Sequence, residues 1–168
     1  MAVRKILLLG NDNLYRVCGA ATKSETENVK RIIRDLHETM TDFRRRFGYG
    51  RAIAAPQIDE PYRIICMDYD GKTVVFINPR LEFHAGSDMF ELWDDCMSFP
   101  GLEVKVRRHR TCTVHYLDEN WMERTMEAAG DLSELIQHEY DHLDGILAVQ
   151  RAIDGKSFRL NPERAKNF

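Results

Sequence analysis

The sequence predicts an α+β fold in which antiparallel β-sheet packs around the second of two helices. Three observations carry this. Apolar residues recur at helical spacing in two separated segments. Between and after them lie β-branched and aromatic runs joined by short turn signals. No helix intervenes between those runs, as parallel βαβ units would require. One domain over residues 1–168 accounts for the chain, a length that suffices for one core and is short for two.

The first helix is read from Val29, Ile32, Ile33, Leu36, Met40, Phe43 and Phe47, which fall on one face. Ser24 with Glu27 three residues on reads as a capping box at its start. Arg44, Arg45 and Arg46 occupy the last turn, where they complement the helix dipole, and Gly48 follows as a stop. Residues 62–69 and 73–78 read as strands around the Asp70-Gly71 turn. Residues 111–117 and 121–126 form a second hairpin around Asp118-Glu119-Asn120. The second helix begins near Asp131, with Gly130 before it and Glu134 at the capping-box position. It runs through Leu135, Ile136, His138, His142 and Leu143 to Gly145.

Composition narrows the function classes. The chain is 43% hydrophobic and 30% charged, ordinary for a globular protein. A formal net charge of -3 gives no general reason to expect nucleic acid or an anionic membrane as a partner. The basic runs at Arg44–Arg46 and at Arg107, Arg108 and Arg110 read as solvated faces. No stretch approaches the ~18 apolar residues of a transmembrane helix. The apolar N-terminal run is broken by Arg4 and Lys5 and lacks a signal-peptide centre. A cytoplasmic, reducing setting is expected. Cys18, Cys66, Cys96 and Cys112 show no CxxC pairing and no disulfide framework. Cys66 and Cys112 sit inside apolar strands and read as buried hydrophobes, and Cys18 as structural.

The chemistry lies on the second helix. His138-Glu139-Tyr140-Asp141-His142 is an HExxH sequence, and residues four apart share a helical face, so both imidazoles reach one ion. Glu139 is placed to move protons to and from a water at that ion without ligating it. The pentapeptide alone also fits a surface helix with two histidines and an acid. A catalytic metal usually takes a third protein ligand. The longer HExxHxxGxxH pattern fails here, because Ala148 stands at the third histidine, and Glu163 is a poor substitute near the C-terminus. Cys96 is the better candidate. It lies between acids and a Ser-Phe-Pro-Gly turn, surroundings that do not suit core filler. Asp94 and Asp95 disfavour a free thiolate there, and a cation would reverse that effect.

With these residues in hand, the sequence resembles the peptide deformylases. Gly50-Arg51-Ala52-Ile53-Ala54-Ala55-Pro56-Gln57 is similar to the family's GxGxAAPQ. Asp94-Asp95-Cys96-Met97-Ser98 is similar to its EGCLS, and Gln137 through Gly145 to its QHExDHLxG. The opening, Ile6-Leu7 through Asp12 and Leu14, also resembles the family's N-terminal segment. The resemblance implies metal ligands at Cys96, His138 and His142, a general base at Glu139, and oxyanion donors in the Gln57 amide and the Met97 backbone N–H. It implies one divalent ion, iron(II) as the native one, with zinc, nickel and cobalt as alternatives. Gly50, Ala52, Ile53, Asp95, Glu134 and Leu135 are expected to line the substrate pocket.

Several positions depart from the family pattern. Ala52 stands for glycine, Asp94 for glutamate and Asp95 for glycine, while Glu103 stands where family members often carry arginine. Arg108 is at the spacing to pair with Asp94. Glu134 lies near the expected pocket for the methionine side chain. The tail after Gly145 is short and lacks the long C-terminal helix of some family members. The leading expectation is removal of the formyl group from N-formylmethionyl peptides, with the ribosome met through nascent chains. The alternatives are a different formylated or acylated amine, motivated by Ala52, Asp95, Glu103 and Glu134, and a non-catalytic metal-binding protein.

Overall fold

The structure, a computed structural model, describes residues 2–84, 86 and 88–165. Among the described residues, eight strands form two antiparallel sheets. The larger takes β1 (Ala52–Ala54), β2 (Ile64–Tyr69), β3 (Lys72–Glu82), β6 (Thr111–Leu117) and β7 (Glu123–Ala129), in that spatial order. The smaller takes β4 (Met89–Asp95), β5 (Leu102–His109) and β8 (Phe158–Leu160), also in that order. The helices are α1 (Thr26–Phe47), α2 (Asp131–Leu143) and the short α3 (Pro162–Ala165). The α+β expectation therefore holds. Among the described residues no helix is long and apolar enough to cross a membrane.

The large sheet is covered on both faces, which explains why β2 is apolar and buried at four consecutive positions, from Ile64 to Met67, instead of alternating. Ile53, Ile64, Cys66, Val75 and Ile77 face α1 and meet Val29, Ile32, Leu36 and Met40. Their neighbours Ala52, Ala54, Ile65, Met67 and Phe76 point the opposite way and share a core with Ile136 and Leu143 of α2. A third cluster, Cys96, Phe99, Val104, Val106 and Ala148, lies beneath the small sheet.

Local signals were displaced in several places. A 3-10 turn over Lys23–Glu25 precedes α1, so the capping pair is Thr22 with Glu25, not Ser24 with Glu27. The Glu25 carboxylate accepts from the Thr22 backbone N–H at 3.0 Å and its hydroxyl at 2.7 Å, and Glu27 instead pairs with Lys30. Gly48 ends the helix as expected, at φ 78°. Strand β3 does not stop at Asn78. That residue takes φ 50° in a bulge, and its side chain bridges the Ala21 N–H and carbonyl at 2.8 Å each. Trp121, expected in a strand, sits in the turn at φ 61°, and β7 starts two residues later. Strands β1, β4, β5 and β8 were not anticipated. The basic run near β5 is not uniformly solvated either. Arg107 is exposed and pairs with Glu91, whereas Arg108 is 4% exposed between two carboxylates.

Candidate metal centre

Helix α2 begins without a side-chain cap. Gly130 at φ 57° precedes it, and the Glu134 carboxylate, expected to cap, turns away to Arg51 at 2.6 Å. A positive φ at the cap and a cation within reach account for the failed expectation. Gln137 holds the helix instead. Its amide donates to the His109 carbonyl at 2.8 Å and accepts from the His109 N–H at 3.0 Å. Ser133 adds a bond to the same carbonyl at 2.9 Å. With α2 pinned to the end of β5, His138 and His142 project one turn apart, ring centroids 5.0 Å from each other.

Cys96 arrives from the other side, in the turn that leaves β4. One ligand atom from each of Cys96, His138 and His142 lies within 4.8 Å of the others, and all three residues are buried. Sγ is 3.3 Å from His142 Nε2. Sγ also accepts from the Ser98 N–H at 3.4 Å and the Gln57 amide at 3.5 Å, contacts that suit a sulfur carrying negative charge. His138 Nδ1 lies 2.8 Å from Asp94 Oδ1, which turns Nε2 toward the centre. The other Asp94 oxygen accepts from Arg108 at 3.0 Å, and Arg108 continues to Asp141 at 2.5 Å. Burial works to raise the Asp94 pKa, but His138 and Arg108 together hold it near 2. His142, desolvated and beside His138, is held well below its ordinary value, the direction that a metal-ligating imidazole would need.

Glu139 is 4% exposed, and its Oε2 has no partner in the buried site. Burial pushes its pKa up to about 7; His138 opposes the rise, while Asp94 and Glu134 add to it. Gln57 sits on the 3-10 turn Ala55–Ile58 and is buried, not the exposed loop glutamine its segment suggests in isolation. Its carbonyl oxygen is taken by the Ala54 N–H at 2.9 Å, so the NH2 end must face Cys96 and Ser98. The N-terminal segment straps these parts together. Leu7 N–H donates to the Gln57 carbonyl, Leu9 N–H to that of Ser98, and Cys18 N–H to that of Leu143, at 2.8, 2.8 and 2.9 Å.

A cleft of about 540 Å³ opens beside the three donors. Of the residues expected to line it, Gly50, Ala52, Asp95, Glu134 and Leu135 do so, together with Gln57, Met97, Cys96, His138 and Glu139. Ile53 does not. Strand alternation turns its side chain into the α1 core, where it is fully buried. His142 closes the centre from behind. At Gly50, φ is 110°, a conformation that strains any residue with a side chain, and a Cβ would also push aside Met97 Cε at 2.8 Å, so glycine suits this wall. Sequence reasoning missed Tyr49, Arg51, Trp93 and Arg164. Arg51 lay inside a recognised motif; Arg164 carried no local signal, because the tail brings it from far away.

A cysteine and an HExxH pair around one cleft, with a buried glutamate alongside, define a mononuclear metallohydrolase on an α+β scaffold. The family model for polypeptide deformylase matches residues 3–158. A peptide deformylase of Dictyoglomus turgidum is 34% identical over 154 residues, 92% of this chain and 94% of the relative. The peptide deformylase structure from Thermotoga maritima superposes with a TM-score of 0.83 at 28% identity, covering 92% of this chain and 100% of that one. That of Synechococcus elongatus in complex with actinonin gives 0.81 at 28% identity, covering 99% and 88%. The chain belongs to the polypeptide deformylase family and is a metal-dependent deformylase.

Proposed function

We propose that this single domain removes the N-formyl group from N-formylmethionyl peptides of nascent proteins, using one divalent ion held by Cys96, His138 and His142. The observation that carries the reading is the convergence of these three buried donors beside the open oxygen of Glu139. The donor set fits such an ion: a thiolate and two imidazoles suit iron(II), zinc, nickel or cobalt. Iron(II) is the native one on this reading. When bound, the ion supplies Lewis acidity and lowers the pKa of water.

The chain's own groups divide the remaining work. Glu139 Oε2 accepts a proton from the attacking water and returns it to the amine nitrogen as the C–N bond breaks, giving formate and a free N-terminus. A carboxylate poised near 7 suits both transfers. The Gln57 Nε2 donors and the Met97 N–H stabilise the formyl oxygen as it gains negative charge. Asp94 holds His138 in position without touching substrate. Gly50, Ala52, Asp95, Glu134 and Leu135 form the walls against which the peptide lies. Four free, buried cysteines suit a reducing compartment, and on this reading the enzyme works in the cytoplasm, where it meets chains leaving the ribosome.

The test is formate release from formyl-Met-Ala-Ser by protein loaded in turn with iron(II), nickel, cobalt and zinc. Turnover should follow metal occupancy and vanish on chelation. Full occupancy with no formate from any of the four forms would defeat the proposal.

A further inference from the structure

The cleft extends past the metal donors to a rim that includes Arg164, on the short C-terminal helix α3. This residue lies beyond the segment matched by the family model, which ends at 158. Strand pairing and side-chain contacts set its place in the fold. Strand β8 pairs with β5 through Leu102 with Leu160, Glu103 with Arg159 and Val104 with Phe158. The Asn161 N–H then donates to the Gly101 carbonyl at 2.7 Å. Glu103, 5% exposed, clamps the tail by accepting from Arg159 at 2.5 Å and Asn161 at 2.7 Å. The Arg159 guanidinium lies over the Trp93 ring at 4.1 Å.

The guanidinium of Arg164 is held by three contacts. Its Nη1 pairs with Asp95, its Nε lies 3.8 Å from Glu103, and its plane sits 4.7 Å from the centre of the Tyr49 ring. Asp95 and Glu103 are both positions where the sequence departs from the family motif. The departures and the arginine are therefore one structural unit: two carboxylates and a phenol ring present a tail-borne cation to the cleft. Its side chain stays 34% exposed at the rim of the cleft.

On the deformylase reading above, we infer that Arg164 binds the oxygen acceptors of the peptide downstream of the formylated residue. Asp95 directly precedes Cys96, so the cation stands beside the turn at which the formyl group must react. An extended peptide advances ~3.3–3.6 Å per residue. The carbonyls following the first residue, or a terminal carboxylate, thus come within reach of the rim. A guanidinium fork suits either acceptor through charge-assisted bonds. Arg164 is accordingly a specificity-determining residue for peptide length and not part of the bond-breaking step.

The experiment compares metal-loaded wild type with Arg164→Ala and Arg164→Lys. The substrates are formyl-methioninamide, formyl-Met-Ala-Ser and the C-terminal amide of that tripeptide. Arg164→Ala should raise KM for the tripeptide by about tenfold, the loss expected for a charge-assisted hydrogen bond, while kcat changes by less than about twofold. KM for formyl-methioninamide should move by less than about twofold, and Arg164→Lys should recover part of the loss. A loss on both tripeptides assigns the contact to main-chain carbonyls; a loss on the free acid alone assigns it to the carboxylate. Binding of the product Met-Ala-Ser, followed by calorimetry, should weaken in parallel. Equal effects on formyl-methioninamide and the tripeptides, or no effect on any, would overturn the inference. A wild type that releases no formate would defeat the deformylase reading itself, and the Met-Ala-Ser titration would still decide the role of Arg164.

Discussion

On the proposed mechanism, Glu139 is the residue on which the chemistry turns. Glu139→Gln preserves shape and removes the proton acceptor, so metal content should be unchanged while kcat falls about 10²–10⁴-fold. Metal analysis with a formate assay on the same sample checks both halves. Asp94 acts at one remove, between His138 and the buried cation of Arg108. Asp94→Asn leaves that cation short of a partner and should cost about 3–5 kcal/mol in urea unfolding of the metal-free protein. Chelator competition should show metal affinity reduced about 10–100-fold. The thiols supply a pH prediction. Burial, with Asp68 and Glu139 adding, pushes Cys66 up to about 12, and burial pushes Cys18 up to about 11. In the unfolded chain both ionise near ~8.5. Their contribution to folding is therefore complete below that value and is lost as pH climbs toward the folded values. Urea midpoints should fall between pH 8 and 10, and iodoacetamide should label Cys18 and Cys66 only after unfolding. Cys96 was legible at this scale because acids and a turn are wrong surroundings for a core thiol. Arg108 was read both as a partner for Asp94, which its 3.0 Å bond bears out, and within a solvated basic run, which its burial in step with Val104 and Val106 corrects.

Among elements, α1, α2 and the two hairpins of the large sheet were legible from periodicity and turn chemistry, because those signals are local. Strand β5 also alternates at Leu102, Val104 and Val106, and the signal was overshadowed by its charged residues. The inward face of this strand carries Arg108, and Glu103 is buried too, so polarity stopped marking the outside. Caps were displaced for a related reason: a 3-10 turn or a nearby arginine redirected the capping group. Two helix-terminal glycines separate backbone strain from close approach. At Gly48, φ is 78° and a Cβ meets nothing within 4 Å, so Gly48→Ala should cost about 1–2 kcal/mol. At Gly145, φ is 70° and a Cβ would fall 2.4 Å from the Tyr15 carbonyl oxygen. Gly145→Ala must displace backbone, so it should destabilise more than Gly48→Ala in thermal unfolding. It should also loosen metal binding, since His142 lies three residues upstream.

At the scale of the molecule, three distant segments meet at one point because a sheet covered on both faces sets α2 against the turn after β4. The N-terminal strap bonds to the backbone beside Gln57, Ser98 and Leu143, and the tail returns through β8 to the cleft rim. Motif order made the meeting of Cys96 with α2 legible. The strap, the tail and the reach of Arg164 were not, since pairings between distant segments leave no periodic trace. The proposed function stands on one sulfur and two ring nitrogens around a single ion, and X-ray absorption at the zinc edge of the zinc-loaded protein reads that shell. One sulfur at ~2.3 Å and two imidazole nitrogens at ~2.0–2.1 Å are expected, with oxygen completing it. A spectrum with no sulfur scatterer, unchanged by Cys96→Ala, would contradict it.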